Sequence, residues 1–273
     1  MNKVVFLTFA DSKYKKSLLR LQSQVNQSKC ITDTYFFTEK DLESNFAHKF
    51  RPWLYRRGYG YWQWKSYLIE KVMVTLTDGD VMIWSDVGNV YNVQAEKRLE
   101  EYIDRVCKSV SGLLVFSQKQ IEKAWTKADC LEYFGVLKNE LITDTPQYWA
   151  GGFLICKNKF SMTIIHKWAD VAINHFDLIT DKRSVLPNLS GFIEHRHDQS
   201  VFSILAKLYH ADAYPPNEVD KSNFENIPIQ PRRFKQKDVF VNIGNKLFLP
   251  IRYAIGIYLK YVKHFDFHDR IIW

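Results

Sequence analysis

Asp86 is the residue best placed to do chemistry. It follows the apolar run Val81-Met82-Ile83-Trp84 and Ser85, and Val87-Gly88-Asn89 come after it. The run reads as a core strand, so Asp86 stands at a carboxyl end, where open α/β sheets bind ligands. Gly88 lets the backbone approach a ligand closely. A carboxylate there is suited to hold Mg²⁺ or Mn²⁺ against two phosphates, because hard cations prefer oxygen. Asp78 and Asp80 precede the run, at its opposite end, and read as turn residues.

Two other groups stand out. Tyr148-Trp149-Ala150-Gly151-Gly152 leads into Phe153-Leu154-Ile155-Cys156, and paired glycines before a strand mark a turn or bulge. Glu194-His195-Arg196-His197-Asp198-Gln199 precedes a helical pattern. Asp198 can cap that helix, with the histidines solvated. The histidines are also candidate ligands for a metal on Asp86, although two histidines one residue apart are more often a surface pair.

The elements that must position these groups alternate short apolar runs with amphipathic ones, the pattern of an α/β sheet. Strands are expected at 4–9, 34–38, 81–85, 113–117 and 152–156. Tyr14, Leu18, Leu21 and Val25 recur at helical spacing, as do Leu99, Ile103, Val106 and Val110. A helix is expected over 65–76. Thr126-Lys127-Ala128-Asp129 has the capping-box pattern and opens a helix through Leu131 and Phe134. Ile165, Trp168, Ala172 and Phe176 predict a helix over 161–176. Residues 177–195 read as loop, and Val201, Leu205 and Leu208 place a helix after Asp198.

The 273 residues favour one large domain. A net charge of +8 points to an anionic partner such as a nucleotide diphosphate, an acidic membrane surface or nucleic acid. No nucleic-acid motif is visible and the basic residues are dispersed, so nucleic acid is not expected. Four scattered cysteines suit reduced thiols. The N-terminus passes straight into an apolar run too short to span a bilayer, which leads us to expect a cytoplasmic protein.

The strand followed by S-D-V-G-N resembles the D-x-D region of GT-A glycosyltransferases, especially small bacterial enzymes building lipopolysaccharide or capsule. Arg57-Gly58-Tyr59-Gly60-Tyr61-Trp62-Gln63-Trp64-Lys65 is similar to the G-Y-x-x-W-K segment that precedes that strand in them. The chain departs from D-x-D at Gly88, which leaves Asp86 without a second acid. The resemblance implies a GT-A (Rossmann-like) α/β domain with a mixed central sheet over 1–245. It implies transfer of a hexose from a nucleotide diphosphate sugar, with UDP the expected nucleotide, to a saccharide or lipid-linked saccharide. Arg57, Tyr61, Lys65, Asp86, Gly88, Tyr148, Trp149, Gly151 and Gly152 would bind the donor, the glycines leaving room for its sugar. Mn²⁺ or Mg²⁺ would sit on Asp86, with His197 a further candidate ligand. Asp198 and Gln199 match a D-Q pair that faces the donor sugar, and they are the candidate catalytic residues. The missing acid also permits a nucleotide-sugar-binding protein without transfer activity. A nucleotidyltransferase is disfavoured because Thr8-Phe9-Ala10-Asp11-Ser12 has no phosphate-loop glycine.

Residues 246–273 form a basic, aromatic tail. Ile251, Ile255, Tyr258, Val262 and Phe265 share one helical face, with Arg252, Lys260 and Lys263 on another. Such a helix suits a membrane surface, placing the protein at the inner face of the cell membrane, or else docks on its own domain.

Overall fold

The computed structural model describes residues 2–43, 46 and 50–232; the tail at 246–273 lies outside them. Three apolar runs form strands in which every residue is buried: β1 (Val4–Phe9), β3 (Val81–Ser85) and β7 (Gly152–Cys156). Continuous burial means that both sheet faces are covered. β2 (Asp33–Phe37) is mostly exposed and forms one edge. β4 (Val90–Tyr91) pairs with β9 (Ile229–Gln230) in a separate two-stranded ladder. β5 (Leu113–Ile121), β6 (Pro146–Tyr148) and β8 (Asp212–Tyr214) complete a seven-stranded sheet. Its order is β2-β1-β3-β7-β5-β6, with β8 also on β5.

The sheet is mixed, as expected. β1 runs parallel to β2 and β3, whereas β7 runs antiparallel to both β3 and β5. Ser85 therefore pairs with Gly152, and the carboxyl end of β3 meets the amino end of β7.

Six helices matter for the site: α1 (Lys15–Val25), α2 (Gln63–Met73), α3 (Glu96–Lys108), α4 (Ala128–Tyr133), α5 (Lys159–Asn174) and α6 (Asp198–Leu208). Leu68, Ile69 and Val72 of α2, Ile165 and Trp168 of α5, and Phe202 and Leu205 of α6 pack with Leu7, Met82, Trp84 and Phe153 on one face. Leu21 and Val25 of α1 and Leu99, Tyr102 and Val106 of α3 join Phe6, Ile83 and Leu154 on the other.

Local signals misled in three places. α3 stops at Lys108, so Val110 lies beyond it and is 80% exposed. The capping box at Thr126 does not form. The N-cap of α4 is Lys127, the Thr126 hydroxyl donates to Glu122, and the Asp129 carboxylate accepts Val185 and Leu186 amides. Asp198 is the first residue of α6 rather than its cap, which is His197.

Before α2 the chain does something costly. Gly58, Tyr59, Gly60, Tyr61 and Trp62 all have positive φ, between 52° and 89°. For L-residues this left-handed region costs about 1–2 kcal/mol each. The turn is held from several sides. The Trp64 indole donates to the Gly58 carbonyl at 3.1 Å, the Tyr61 hydroxyl donates to Asp181 at 2.6 Å, and Trp62 stacks on His197.

A β-carbon on Gly60 would lie 2.3 Å from the Phe50 ring, whereas one on Gly135, also at positive φ, would meet nothing within 4 Å. Gly60→Ala should therefore lose about 2–4 kcal/mol of stability, strain plus overpacking, against about 1 kcal/mol for Gly135→Ala. Urea unfolding midpoints at constant slope measure the difference.

Candidate functional site

Lys65 lies in the first turn of α2, on the stripe that also carries Ile69 and Val72, and its side chain is only 2% exposed. A buried ammonium needs compensation. Its Nζ lies 3.2 Å from Asp86 Oδ1 and 3.0 Å from Asp198 Oδ2, and it donates to the Ala150 carbonyl at 3.2 Å. The Trp84 ring lies below, its centroid 5.6 Å away, and the Trp84 indole N–H donates to Asp86 Oδ1 at 3.1 Å. Four elements converge here: α2, the end of β3, the entry to β7 and the start of α6.

Charge follows geometry. Burial works against the Lys65 ammonium, but Asp198 and Asp86 outweigh it and leave its pKa raised. Burial pushes the Asp198 carboxyl up to about 6, opposed by the Lys65 charge. With both carboxylates ionised the trio carries one net negative charge. Asp86 is its accessible member, with 38% of its side chain exposed.

The surrounding backbone is fixed by polar contacts. The Asp86 amide donates to the Gly151 carbonyl at 2.8 Å, and the Asn89 side-chain amide donates to the same carbonyl at 2.6 Å. Arg20 of α1 donates to the carbonyls of Val87 and Asn89, both at 2.9 Å, which clamps the turn containing Gly88. Gln199 accepts the Ala150 amide at 3.3 Å and donates to Gln118 and Gln147. Gln147 in turn donates to Glu122, which is ion-paired to Lys207 at 2.8 Å inside the protein.

The structure brings Lys65, Asp86, Asp198 and Gln199 together around Ala150 and Gly151. Arg57 and Tyr61 lie elsewhere, holding the 181–194 loop: Arg57 pairs with Asp181 at 3.0 Å and with Glu194. Gly151 and Gly152 do not leave open space. The Trp149 indole fills it, with atoms 2.3 Å and 2.7 Å from where their β-carbons would be, and Trp149 is 9% exposed. Tyr148 is half-buried, its ring 5.5 Å from the Lys207 ammonium.

His195 and His197 are buried rather than solvated. Burial lowers the His197 pKa to about 3, helped by Arg57, and holds His195 well below its ordinary value. His195 Nε2 donates to the Leu178 carbonyl at 2.7 Å and its Nδ1 accepts the Lys127 amide, so it has no nitrogen left for a metal. His197 Nδ1 donates to the Ile179 carbonyl at 3.0 Å, and its Nε2 lies 3.7 Å from Asp181. Among the described residues no group of three His, Cys, Asp or Glu side chains gathers to hold a metal. A single accessible carboxylate in a net-negative trio does fit a Mg²⁺ or Mn²⁺ that arrives on phosphates, because such ions take few protein ligands and complete their shell with phosphate and water.

Gln118, Glu122, Gln147, Lys207 and Arg20 escape a motif reading. The available signal was periodicity: Lys65, Ile69 and Val72 share a helical stripe, which places a lysine on a buried face.

No protein-family model matches the sequence, and a search of curated proteins found no match either. Among solved structures the chain is similar to a glycosyltransferase involved in glycosylating the major capsid of PBCV-1, at 11% identity and a TM-score of 0.42, covering 78% of this chain and 81% of that one. It is similar to the apo form of the glycosyltransferase GlyE of Streptococcus pneumoniae at 12% identity and a TM-score of 0.39, covering 78% of this chain but only 45% of that one. A galactosyltransferase, LgtC, solved with donor and acceptor sugar analogues, gives 13% identity and a TM-score of 0.39, covering 77% of this chain and 72% of that one.

The Asp198 pKa gives a stability prediction with a definite sign. Its folded value, about 6, lies above the ordinary 3.8, so the native state holds the proton more tightly. That contribution is complete below about 3.8 and is lost as pH rises through about 6. Asp198→Asn has no such term. The stability of wild type relative to Asp198→Asn should therefore rise as pH falls from 7 to 4, measured by urea unfolding of both proteins across that range.

Proposed function

We propose that the protein is a glycosyltransferase, moving a hexose from a nucleotide diphosphate sugar to a saccharide acceptor. The observation that carries this reading is the trio at the sheet's rim: one buried ammonium fixing an accessible carboxylate and a buried one. Asp86 would hold a divalent ion, Mn²⁺ or Mg²⁺, which when bound offsets the charge of a departing diphosphate. Lys65 is too buried to meet the diphosphate itself. Its work is to orient Asp86 and Asp198 against each other. The net negative charge near Asp198 favours positive charge developing at an anomeric carbon. Gln199, with its amide engaged by Ala150, Gln118 and Gln147, positions the rim.

The resemblance at 57–65 and at Asp86 leads us to propose UDP as the donor nucleotide. For the acceptor we propose a lipid-linked saccharide in lipopolysaccharide or capsule synthesis, at the inner face of the cell membrane. Donor binding without transfer is a second reading, favoured by the complete engagement of the Gln199 amide inside the protein.

Calorimetry with UDP, with Mn²⁺ and with EDTA, tests the site together with UDP-sugar turnover. Wild type should bind UDP at least about tenfold more tightly with Mn²⁺, and Asp86→Ala should lose that gain and turnover while remaining folded, at a lowered melting temperature because buried Lys65 loses one of its two carboxylates. Asp80, at the opposite end of β3, accepts the Lys3 amide and the Thr77 amide, each at 2.8 Å. Asp80→Ala should lose stability and keep UDP binding. Equal UDP affinity in EDTA would remove the metal from the scheme, and UDP binding without turnover would select the second reading.

A further inference from the structure

We propose that the face formed by segments 51–57 and 181–194 docks on an anionic lipid surface. Thirteen large hydrophobic side chains are exposed among the described residues, and five of them lie on these two short segments: Trp53, Leu54, Val185, Leu186 and Ile193. Trp53 is 69% exposed, Val185 88% and Ile193 65%. This concentration marks an interaction surface, because isolated exposed hydrophobics are scattered on ordinary surfaces.

The segments are neighbours in space. Arg57 pairs with Asp181 and Glu194, and Tyr61 donates to Asp181, so both ends of the second segment are tied to the first. Lys182, Arg183, Val185, Leu186 and Phe192 line one cavity of about 570 Å³ within the second segment.

Charge complementarity selects the occupant. The segments carry Arg51, Arg56, Arg57, Lys182 and Arg183 against Asp181 and Glu194, an excess of cations even though Arg57 pairs with both carboxylates and Lys182 with Asp177 just outside the segment. Arg51, Arg56 and Arg183 are exposed. The Arg51 guanidinium lies 5.4 Å from the Trp53 ring centroid, pairing a cation with an indole, a residue type enriched at the membrane–water interface. Apolar tips among cations match a surface with acyl chains beneath anionic headgroups. A nucleic acid would use the cations and leave Val185 and Ile193 without a role.

The test is co-sedimentation of the full chain with phosphatidylcholine vesicles, with and without phosphatidylglycerol. Wild type should pellet with the anionic vesicles only. Trp53→Ser with Leu54→Ser should weaken partitioning about tenfold, and Arg183→Gln about fivefold, each with an unchanged melting temperature because these side chains are exposed. No vesicle binding by wild type overturns the proposal. So does undiminished binding by both variants, which would hand the membrane to other residues such as the tail. Duplex DNA binding that is lost in Arg183→Gln but kept in the Trp53/Leu54 variant, with vesicles bound no better than DNA, would reassign the face to nucleic acid. All three readouts are independent of glycosyl transfer.

Discussion

The site depends on one buried cation. Taking the Lys65 ammonium out of water costs several kcal/mol, and only the two carboxylates and the Ala150 carbonyl make its position tenable. Removing one partner from such a cluster leaves an uncompensated charge, so its members are energetically bound to one another. That bond also enforces a geometry. It draws the start of α6 toward the end of β3 and so fixes how wide the rim can open between them. Asp86, the member that reaches solvent, inherits a defined orientation from two that do not.

A second buried pair, Lys207 with Glu122, does the same further from the rim. Glu122 is fully buried and also accepts from Thr126, Ser203 and Gln147. Through Gln147 it fixes Gln199, and through Gln199 the Ala150 amide. Buried polar networks of this kind are worth having only when satisfied throughout. Here the chain of donors and acceptors runs unbroken from Lys207 to the rim. The left-handed turn at 58–62 adds a strained element just before α2, where Trp62 stacks on His197, consistent with strain collecting where surrounding contacts over-determine the backbone.

Much of the scaffold was legible in the sequence, and the reason is periodicity. The strands at 4–9, 81–85 and 152–156 fall where continuous apolar runs place them, because strands buried on both faces leave no polar interruption. The helix after Asp198 was visible for the same reason. Side-chain chemistry was harder to read. Thr126 and Asp129 have the spacing of a capping box, yet other partners claim both: Glu122 one turn earlier, and the distant 185–186 amides. The histidine pair looked solvent-facing because nothing local reveals that Leu178 and Ile179 fold over it. Gly151 and Gly152 suggested vacant space, and only the packed structure places the Trp149 ring there. Contacts across long separations, such as that of Lys65 with Asp198, leave no mark on neighbouring residues.

The reversed direction of β7 bears on how such a site can drift during descent. Because β7 runs against β3, its entry presents peptide groups to the rim: the Ala150 carbonyl to Lys65 and the Gly151 carbonyl to the Asp86 amide and to Asn89. A main-chain oxygen is present whatever residue is encoded. Lineages can therefore exchange Ala150 for another small residue and still supply the third partner of Lys65. Lys65, Asp86 and Asp198 have no such latitude, so a descendant that loses one of them must rebuild the charge balance of the whole rim.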